Sequence, residues 1–184
     1  MKKSSNKTIS DLQRLLMEQN FQSEEELQKF MESLIGKEIP SFPFDSLDPK
    51  EQAKELIMDA YDLSPVQARV NIEQALQLDI NCIDAYILLG LLESVPQIGM
   101  VFFEKGIAIG RSIFDKKYRA KHKGHFWGLH ETRPFMRCLQ SYAECLFAIW
   151  RVEECVAIYE ELIELNPNDS QGVVNQLMHC LITV

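Results

Sequence analysis

The stretch CIDAYILLGLLESV, residues 82–95, followed closely by QIGMVFFEKGIAIGRSI, residues 97–113, decides the fold. Apolar residues recur at helical spacing in both segments. Gly90 lies in the first segment, and Gly99 and Gly106 flank Phe103 in the second. Small residues at such positions let two helix backbones approach closely. The stretch therefore predicts a tightly packed helical hairpin.

Two further pairs of segments repeat this organisation. The first pair is PKEQAKELIMDAYDL and PVQARVNIEQALQLD, residues 49–63 and 65–79; the second is PFMRCLQSYAECLFAIW and VEECVAIYEELIELNP, residues 134–150 and 152–167. One more helix is predicted in SQGVVNQLMHCLITV, residues 170–184. No alternating run long enough for a strand occurs in the sequence. The prediction is an all-α fold.

The three hairpins resemble tetratricopeptide repeats. In that motif small residues lie where the helices cross, a large apolar residue lies between them, and a proline follows the second helix. The matching repeat-packing positions are Ala68, Ile72, Ala75, Tyr86, Leu89, Gly90, Gly99, Phe103, Gly106, Ala143, Cys155, Tyr159 and Pro167. Leu162 stands where the motif has alanine, and the first two turns are short. The resemblance implies degenerate hairpins stacked as a short solenoid, with a generic helical bundle as the alternative.

A second resemblance covers residues 47–180 and rests on the phrases GHFWG, ETRPFMR and LNPNDSQG, which begin at residues 124, 131 and 165. These phrases are similar to a group of bacterial tetratricopeptide-like proteins related to the suppressor-of-tumorigenicity seven family. That family has no assigned enzymatic activity. The resemblance therefore implies a fold and an interaction role, and it carries no catalytic residue onto this chain.

The N-terminal part predicts a helical pair and a linker. Ser10 is a candidate cap for a first helix, and Ser23 with Glu26 forms a capping box for a second helix that ends at Gly36. KEIPSFPF, residues 37–44, is typical of an extended linker, because each proline disfavours helix in the residue before it. We therefore expect an N-terminal pair with its linker in residues 1–46 and a helical repeat domain in residues 47–184.

Composition predicts a globular cytoplasmic protein. The 184 residues are 46% apolar and 25% charged, as in ordinary soluble domains. The basic start is followed by polar residues, and no apolar run reaches the length of a membrane helix. The five cysteines are odd in number and contain no C-x-x-C pair, which favours reduced, buried thiols.

The net charge of −8 is distributed unevenly. Residues 116–137 carry seven basic groups and one acidic group, whereas residues 51–115 and 138–184 are strongly acidic. Lysines interleaved with aromatic residues suit phosphate contacts and base stacking, but the acidic flanks would repel a long polyanion. Nucleic acid is therefore disfavoured and an acidic protein or peptide is favoured. The candidate partner- or anion-binding residues are Lys117, Arg119, Lys121, His130, Arg133 and Arg137.

The segment GHFWGLHETRPFMR, residues 124–137, admits other functions. A metal-dependent enzyme or ligand-binding protein centred on residues 122–137 is the alternative function, with His122, His125, His130 and Glu131 as its polar residues. Pro134 stands where the second histidine of an H-E-x-x-H zinc motif would lie, so no metal ligand, cofactor or catalytic residue is predicted. We interpret the segment as a structural joint whose exposed edge recognises an acidic group.

The last helix predicts an uncovered surface. VVNQLMHCLITV, residues 173–184, carries no Asp, Glu, Lys or Arg and places apolar residues along one stripe. Repeat arrays normally end in a helix with a polar outer face. Self-association through residues 171–184, a partner helix or a continuation of the array would cover the stripe, and folding back into the array is the alternative. The sequence as a whole predicts a non-enzymatic protein- or peptide-binding scaffold with a helix-lined groove.

Overall fold

The computed structural model describes residues 5–19 and 21–183, and the regular secondary structure in these ranges is entirely helical. The helices are α1 (Ser5–Glu18), α2 (Glu24–Leu34), α3 (Pro49–Ala60), α4 (Pro65–Leu78), α5 (Ile83–Leu91), α6 (Pro96–Ile113), α7 (Lys116–Lys121), α8 (Arg133–Ala148), α9 (Val152–Leu165) and α10 (Val173–Thr183). Short 3-10 helices cover Phe44–Ser46, Phe126–Gly128 and His130–Thr132. The predicted all-α class is confirmed. Residues 1–4, 20 and 184 of the predicted terminal helices lie outside the described residues.

The helix boundaries follow local sequence signals. Proline occupies the first turn of α3, α4, α6 and α8, where its missing N–H leaves no intrahelical hydrogen bond unmade. The Ser23 side chain accepts a hydrogen bond from the Glu26 backbone N–H at 3.2 Å, and Gly36 follows α2 with a φ of 77°. The Ser23 cap and the stop at Gly36 are confirmed, whereas the Glu26 carboxylate accepts a hydrogen bond from the Gln22 N–H at 2.8 Å instead of from the Ser23 N–H. The prediction for Ser10 is wrong, because α1 is already helical at Ser5 and Ser10 lies inside it.

Apart from the short α7, the helices from α3 onward pack in chain order, each on the next long helix. The closest pairs are α3 with α4, α5 with α6 and α8 with α9, while α6 packs on α8 and α9 on α10. α5 also contacts α3 and α8. Two clusters of buried apolar side chains result, one among α3, α4 and α5 and the other running from α5 to α10.

In the hairpin of α5 and α6 the two helices approach most closely at glycine residues. A Cβ built on Gly90 would lie 2.4 Å from Cε1 of the Phe103 ring, and one built on Gly99 would lie 2.9 Å from the Gly90 carbonyl oxygen. Gly106 and Gly110 lie equally close to side chains of α8, since their added Cβ atoms would meet Cys138 and Phe135. Only glycine allows helix backbones to lie this near to neighbouring rings and carbonyls.

Polar contacts attach the N-terminal helix α1 to α3. Arg14 donates to Glu55 Oε1 at 2.8 Å, and the Ser10 hydroxyl donates to the same oxygen at 2.7 Å. Asp11 is fully buried beside Arg14, with 3.5 Å between its Oδ1 and Arg14 Nη1. α2 contains no buried residue. The predicted N-terminal pair therefore consists of one helix docked by buried charges and one helix whose apolar face stays largely exposed.

The C-terminal helix α10 packs one face on α9 and leaves another exposed. Asp169 caps it by accepting hydrogen bonds from the Val173 and Val174 backbone N–H groups at 2.6 and 3.2 Å. Val173 and Cys180 are buried, whereas Met178 is 59% exposed. The predicted exposed apolar stripe is present in the described part of α10, and it further includes Val174, Leu181 and Ile182. Among the described residues, none of the helices has the length and apolar character needed to cross a membrane.

Candidate partner-binding surface

The basic segment folds as the short helix α7, held in place by aromatic side chains. Asp115 begins the helix by accepting a hydrogen bond from the Tyr118 N–H at 2.7 Å. Phe114 is buried, and its ring centroid lies 5.2 Å from that of Tyr118 and 6.0 Å from those of Phe126 and Phe135. This cluster ties α7 to the end of α6 and the start of α8.

The loop between α7 and α8 is closed by its own side chains. Thr132 is fully buried, and its hydroxyl contacts the Phe126 carbonyl oxygen and lies 2.9 Å from the Leu129 carbonyl oxygen. Arg133 donates through Nε to the Trp127 carbonyl oxygen at 2.9 Å, and its guanidinium carbon lies 5.5 Å from the centroid of the Trp127 ring. These contacts are those of a joint that fixes the entry of the chain into α8.

The cations of α7 and of the turn that follows it point in two directions. Lys116, Arg119 and Lys123, spaced three and four residues apart, line a cleft of about 510 Å³ between α7, the end of α6 and α9. Lys117 and Lys121 are one helical turn apart, do not line that cleft and are exposed. The five residues Lys116, Lys117, Arg119, Lys121 and Lys123 are called the basic surface.

Acidic residues of α9 partly balance the cleft. Glu161 lies 2.9 Å from an Arg111 guanidinium nitrogen and 3.6 Å from one of Arg119, and Glu164 lies 2.6 Å from Lys123 Nζ. The lining holds four cations and two carboxylates, so it keeps a positive excess. Neither Lys117 nor Lys121 has an acidic partner within ion-pair distance among the described residues.

The paired cations of the cleft remain available for exchange. The side chains of Arg111 and Lys123 are 47% and 59% exposed. Exposed ion pairs contribute only about 0–1 kcal/mol. A carboxylate from another molecule can therefore replace Glu164, itself 59% exposed, at little cost in free energy.

The remaining candidate residues lie apart from the basic surface. Arg137 donates to Asp84 Oδ1 of α5 at 2.7 Å. Tyr61, at the end of α3, lies near this pair: burial raises the pKa of its hydroxyl, the Asp84 carboxylate adds to the increase, and Arg137 opposes it. Arg133 is engaged by Trp127, and His130 is exposed. The six predicted residues thus form two groups, with Lys117, Arg119 and Lys121 on α7 and the others around the start of α8.

The histidines of this region do not gather into a metal site. Within the described residues, no group of three or more His, Cys, Asp or Glu side chains is placed to hold a metal ion. The His122 ring stacks on Tyr118 with 4.5 Å between centroids, and Glu131 accepts a hydrogen bond from the Tyr118 hydroxyl at 3.3 Å. Burial raises the pKa of the Cys138 thiol of α8 to about 12, so little reactive thiolate is present there at neutral pH.

The candidate binding residues predicted from the sequence omit three cations that line the cleft, Arg111, Lys116 and Lys123. Lys116 has the three-residue spacing from Arg119 that places side chains on one helix face, so its part could have been found once a helix was assigned to residues 116–121. Lys123 lies in the turn after α7, so its position depends on the fold. Arg111 belongs to α6, and only the fold brings it to Glu161.

Comparison with known proteins assigns no family to the chain. No protein-family model matches it, and no curated protein or solved structure matches it significantly. Its function is therefore inferred from its own contacts and charges.

Proposed function

We propose that the protein is a non-enzymatic scaffold that binds an acidic segment of a partner protein at the basic surface. The observation that carries this proposal is the positive cleft of about 510 Å³ beside two exposed lysines that have no acidic partner among the described residues. A chain with a net charge of −8 concentrates its positive charge there. Complementary charge of this kind speeds encounter and selects partners.

The cleft suits carboxylates better than a nucleic acid backbone. Glu161 and Glu164 already occupy the positions that incoming carboxylates would take beside Arg111, Arg119 and Lys123. They show that carboxylate geometry fits these cations. A polyanion extending beyond the cleft would meet the acidic α9, whereas a short acidic peptide would exchange with the Glu164 side chain.

The helical hairpins provide the frame of the scaffold in this proposal. The neighbour-to-neighbour packing from α3 to α10 and the glycine contacts of Gly90 and Gly106 support a tetratricopeptide-like stack. In such a stack α3, α5 and α8 would line a common groove. Tyr61, Asp84 and Arg137 would be polar residues of that groove.

A comparison of two charge-reversal variants tests the proposal. Lys117→Glu/Lys121→Glu removes the two unpartnered lysines, and Lys29→Glu/Lys37→Glu changes the net charge equally at exposed positions of the N-terminal part. Wild type and both variants are immobilised and exposed to nuclease-treated lysate of the cells that make the protein, and retained proteins are quantified by mass spectrometry. Circular dichroism verifies that the variants keep their helical content.

The proposal expects one partner that is retained by wild type and by the Lys29/Lys37 variant. Its retention by the Lys117/Lys121 variant should fall at least about ten-fold, and rising salt should weaken the wild-type complex, because the contacts are exposed and screened. Equal retention by the two variants would show that Lys117 and Lys121 take no part in partner binding. A partner lost from both would show a response to overall charge alone.

A further inference from the structure

Cys155 of α9 and Cys180 of α10 lie side by side in the core. Their Sγ atoms are 3.4 Å apart, and the two residues are 0% and 2% exposed. Both thiols are free. A disulfide needs about 2.04 Å between the sulfur atoms, so an approach of roughly 1.4 Å would bring the pair to bonding distance. Among the described cysteines, no other pair has its sulfur atoms in contact. The Cys138 thiol, for example, contacts the Phe103 carbonyl oxygen.

A pocket gives one of the two thiols a route to small molecules. It has a volume of about 350 Å³, within the range of small-molecule sites, and it is lined by Cys180 together with Phe147 and Tyr159. Its remaining lining consists of polar side chains of α8 and α10. Cys155 does not line the pocket and is fully buried. The order of access is therefore Cys180 first and Cys155 second.

We propose that Cys180 is a thiol-modification site that reacts with a small-molecule disulfide and that Cys155 resolves the product into a Cys155–Cys180 disulfide. In the first step the Cys180 thiolate attacks one sulfur of the small disulfide, and the other sulfur leaves as a thiolate that takes up a proton. In the second step the Cys155 thiolate attacks Cys180 Sγ and expels the bound small thiol. Two cysteine thiols are oxidised and one disulfide is reduced to two thiols.

Burial makes the second step slow and dependent on pH. It raises the pKa of the Cys155 thiol to about 12, and the adjacent Cys180 adds to the increase. The other titratable groups around the pair are Tyr159 on α9, Glu144 on α8 and His179 on α10. Because thiolate is the attacking form, resolution should accelerate as pH rises.

The disulfide would fix the C-terminal helix. It would link positions 25 residues apart and clamp α10, with its exposed apolar face, onto α9. Disulfides that close loops of this size stabilise the linked state by roughly a hundred-fold or more. The inference concerns α9 and α10 and is independent of partner binding at the basic surface.

The experiment uses the reduced protein and glutathione disulfide. After native incubation, free thiols are alkylated under denaturing conditions and the digest is analysed by mass spectrometry. The expected products are a glutathione adduct on Cys180 at early times and a cross-linked Cys155–Cys180 peptide later, with slower amide exchange in α10. Cys155→Ser should accumulate the adduct on Cys180, and Cys145→Ser, a control outside the pair, should behave as wild type.

Two results would overturn the proposal. One is full alkylation of Cys155 and Cys180 after prolonged incubation of the folded wild-type protein. The other is glutathione distributed evenly over Cys82, Cys138 and Cys145 as well, because that pattern reports general unfolding. The wild-type measurement decides the matter alone if a serine variant fails to fold, and Cys155→Ala provides a second, less polar replacement.

Discussion

Replacing Gly90 by alanine perturbs the packing of α5 against α6 at its closest point. The added Cβ would lie 2.4 Å from Cε1 and 2.5 Å from Cζ of Phe103, far inside van der Waals contact. Phe103 is 1% exposed within the core, so its ring has little space into which to move. The methyl group must therefore displace either the ring or the helix.

The magnitude follows from two opposing effects. Overpacking a well-packed core costs about 1–3 kcal/mol, and alanine in a helix interior is favoured over glycine by about 1 kcal/mol. Because the clash involves three ring atoms closer than 3 Å, we expect the upper part of the cost. The net loss in the free energy of unfolding should be about 1–2 kcal/mol.

Urea denaturation followed by circular dichroism measures this loss as a lower transition midpoint at unchanged slope. Gly128→Ala is the matched control, since a Cβ at Gly128 meets nothing within 4 Å, and its midpoint should stay close to wild type. Adding Phe103→Leu to Gly90→Ala should cost less than the sum of the two single changes. A Gly90→Ala protein as stable as wild type would refute the close-packing argument.

Three other substitutions test separate parts of the structure. Arg14→Ala leaves the buried Glu55 carboxylate without the Arg14 guanidinium that pairs with it. Breaking a buried ion pair costs about 3 kcal/mol of stability, and we expect this loss as faster amide exchange in α1 but not in α8. Trp150 is 74% exposed with a φ of 62°, so Trp150→Asn should raise stability by about 0.5–1 kcal/mol in urea denaturation. Burial raises the pKa of the Glu144 carboxyl, and a hydrogen bond with Gln140 opposes the increase. The folded state therefore binds the carboxyl proton more tightly than the unfolded state does. Stability should fall as pH rises above about 4.5, the pKa of an unperturbed Glu. Glu144→Gln should therefore stabilise the protein at pH 7 and flatten this decline in thermal unfolding measured across pH; a variant less stable at pH 7 would contradict the sign.

The helices and the close contacts of α5 and α6 were predictable because their causes are local. Prolines begin helices, Ser23 caps through a residue three positions away, and glycines at helical spacing mark the places where backbones approach. The exposed stripe of α10 was likewise visible as an apolar pattern without charges.

Contacts between residues far apart in the chain could not be predicted from the sequence. Serine is a residue type that commonly caps helices, yet the Ser10 hydroxyl donates to Glu55, 45 residues away. Burial of Cys155 was predicted, but its contact with Cys180 depends on how α10 settles on α9. The sequence could not show which cations of the basic segment line the cleft and which face away from it. That distinction depends on the position of α9, because Glu161 and Glu164 form one side of the cleft.

Site-specific photo-cross-linking can show whether a partner protein contacts the basic surface. Ala120 is exposed and lines the cleft, so Ala120→p-benzoylphenylalanine places a cross-linker there without removing any cation. Lys29, exposed on α2, receives the same residue as a control. After irradiation in nuclease-treated native lysate, we expect one partner protein cross-linked at position 120 through an Asp- and Glu-rich peptide and absent at position 29. No protein cross-linked at position 120, or the same protein at both positions, would contradict binding at the basic surface.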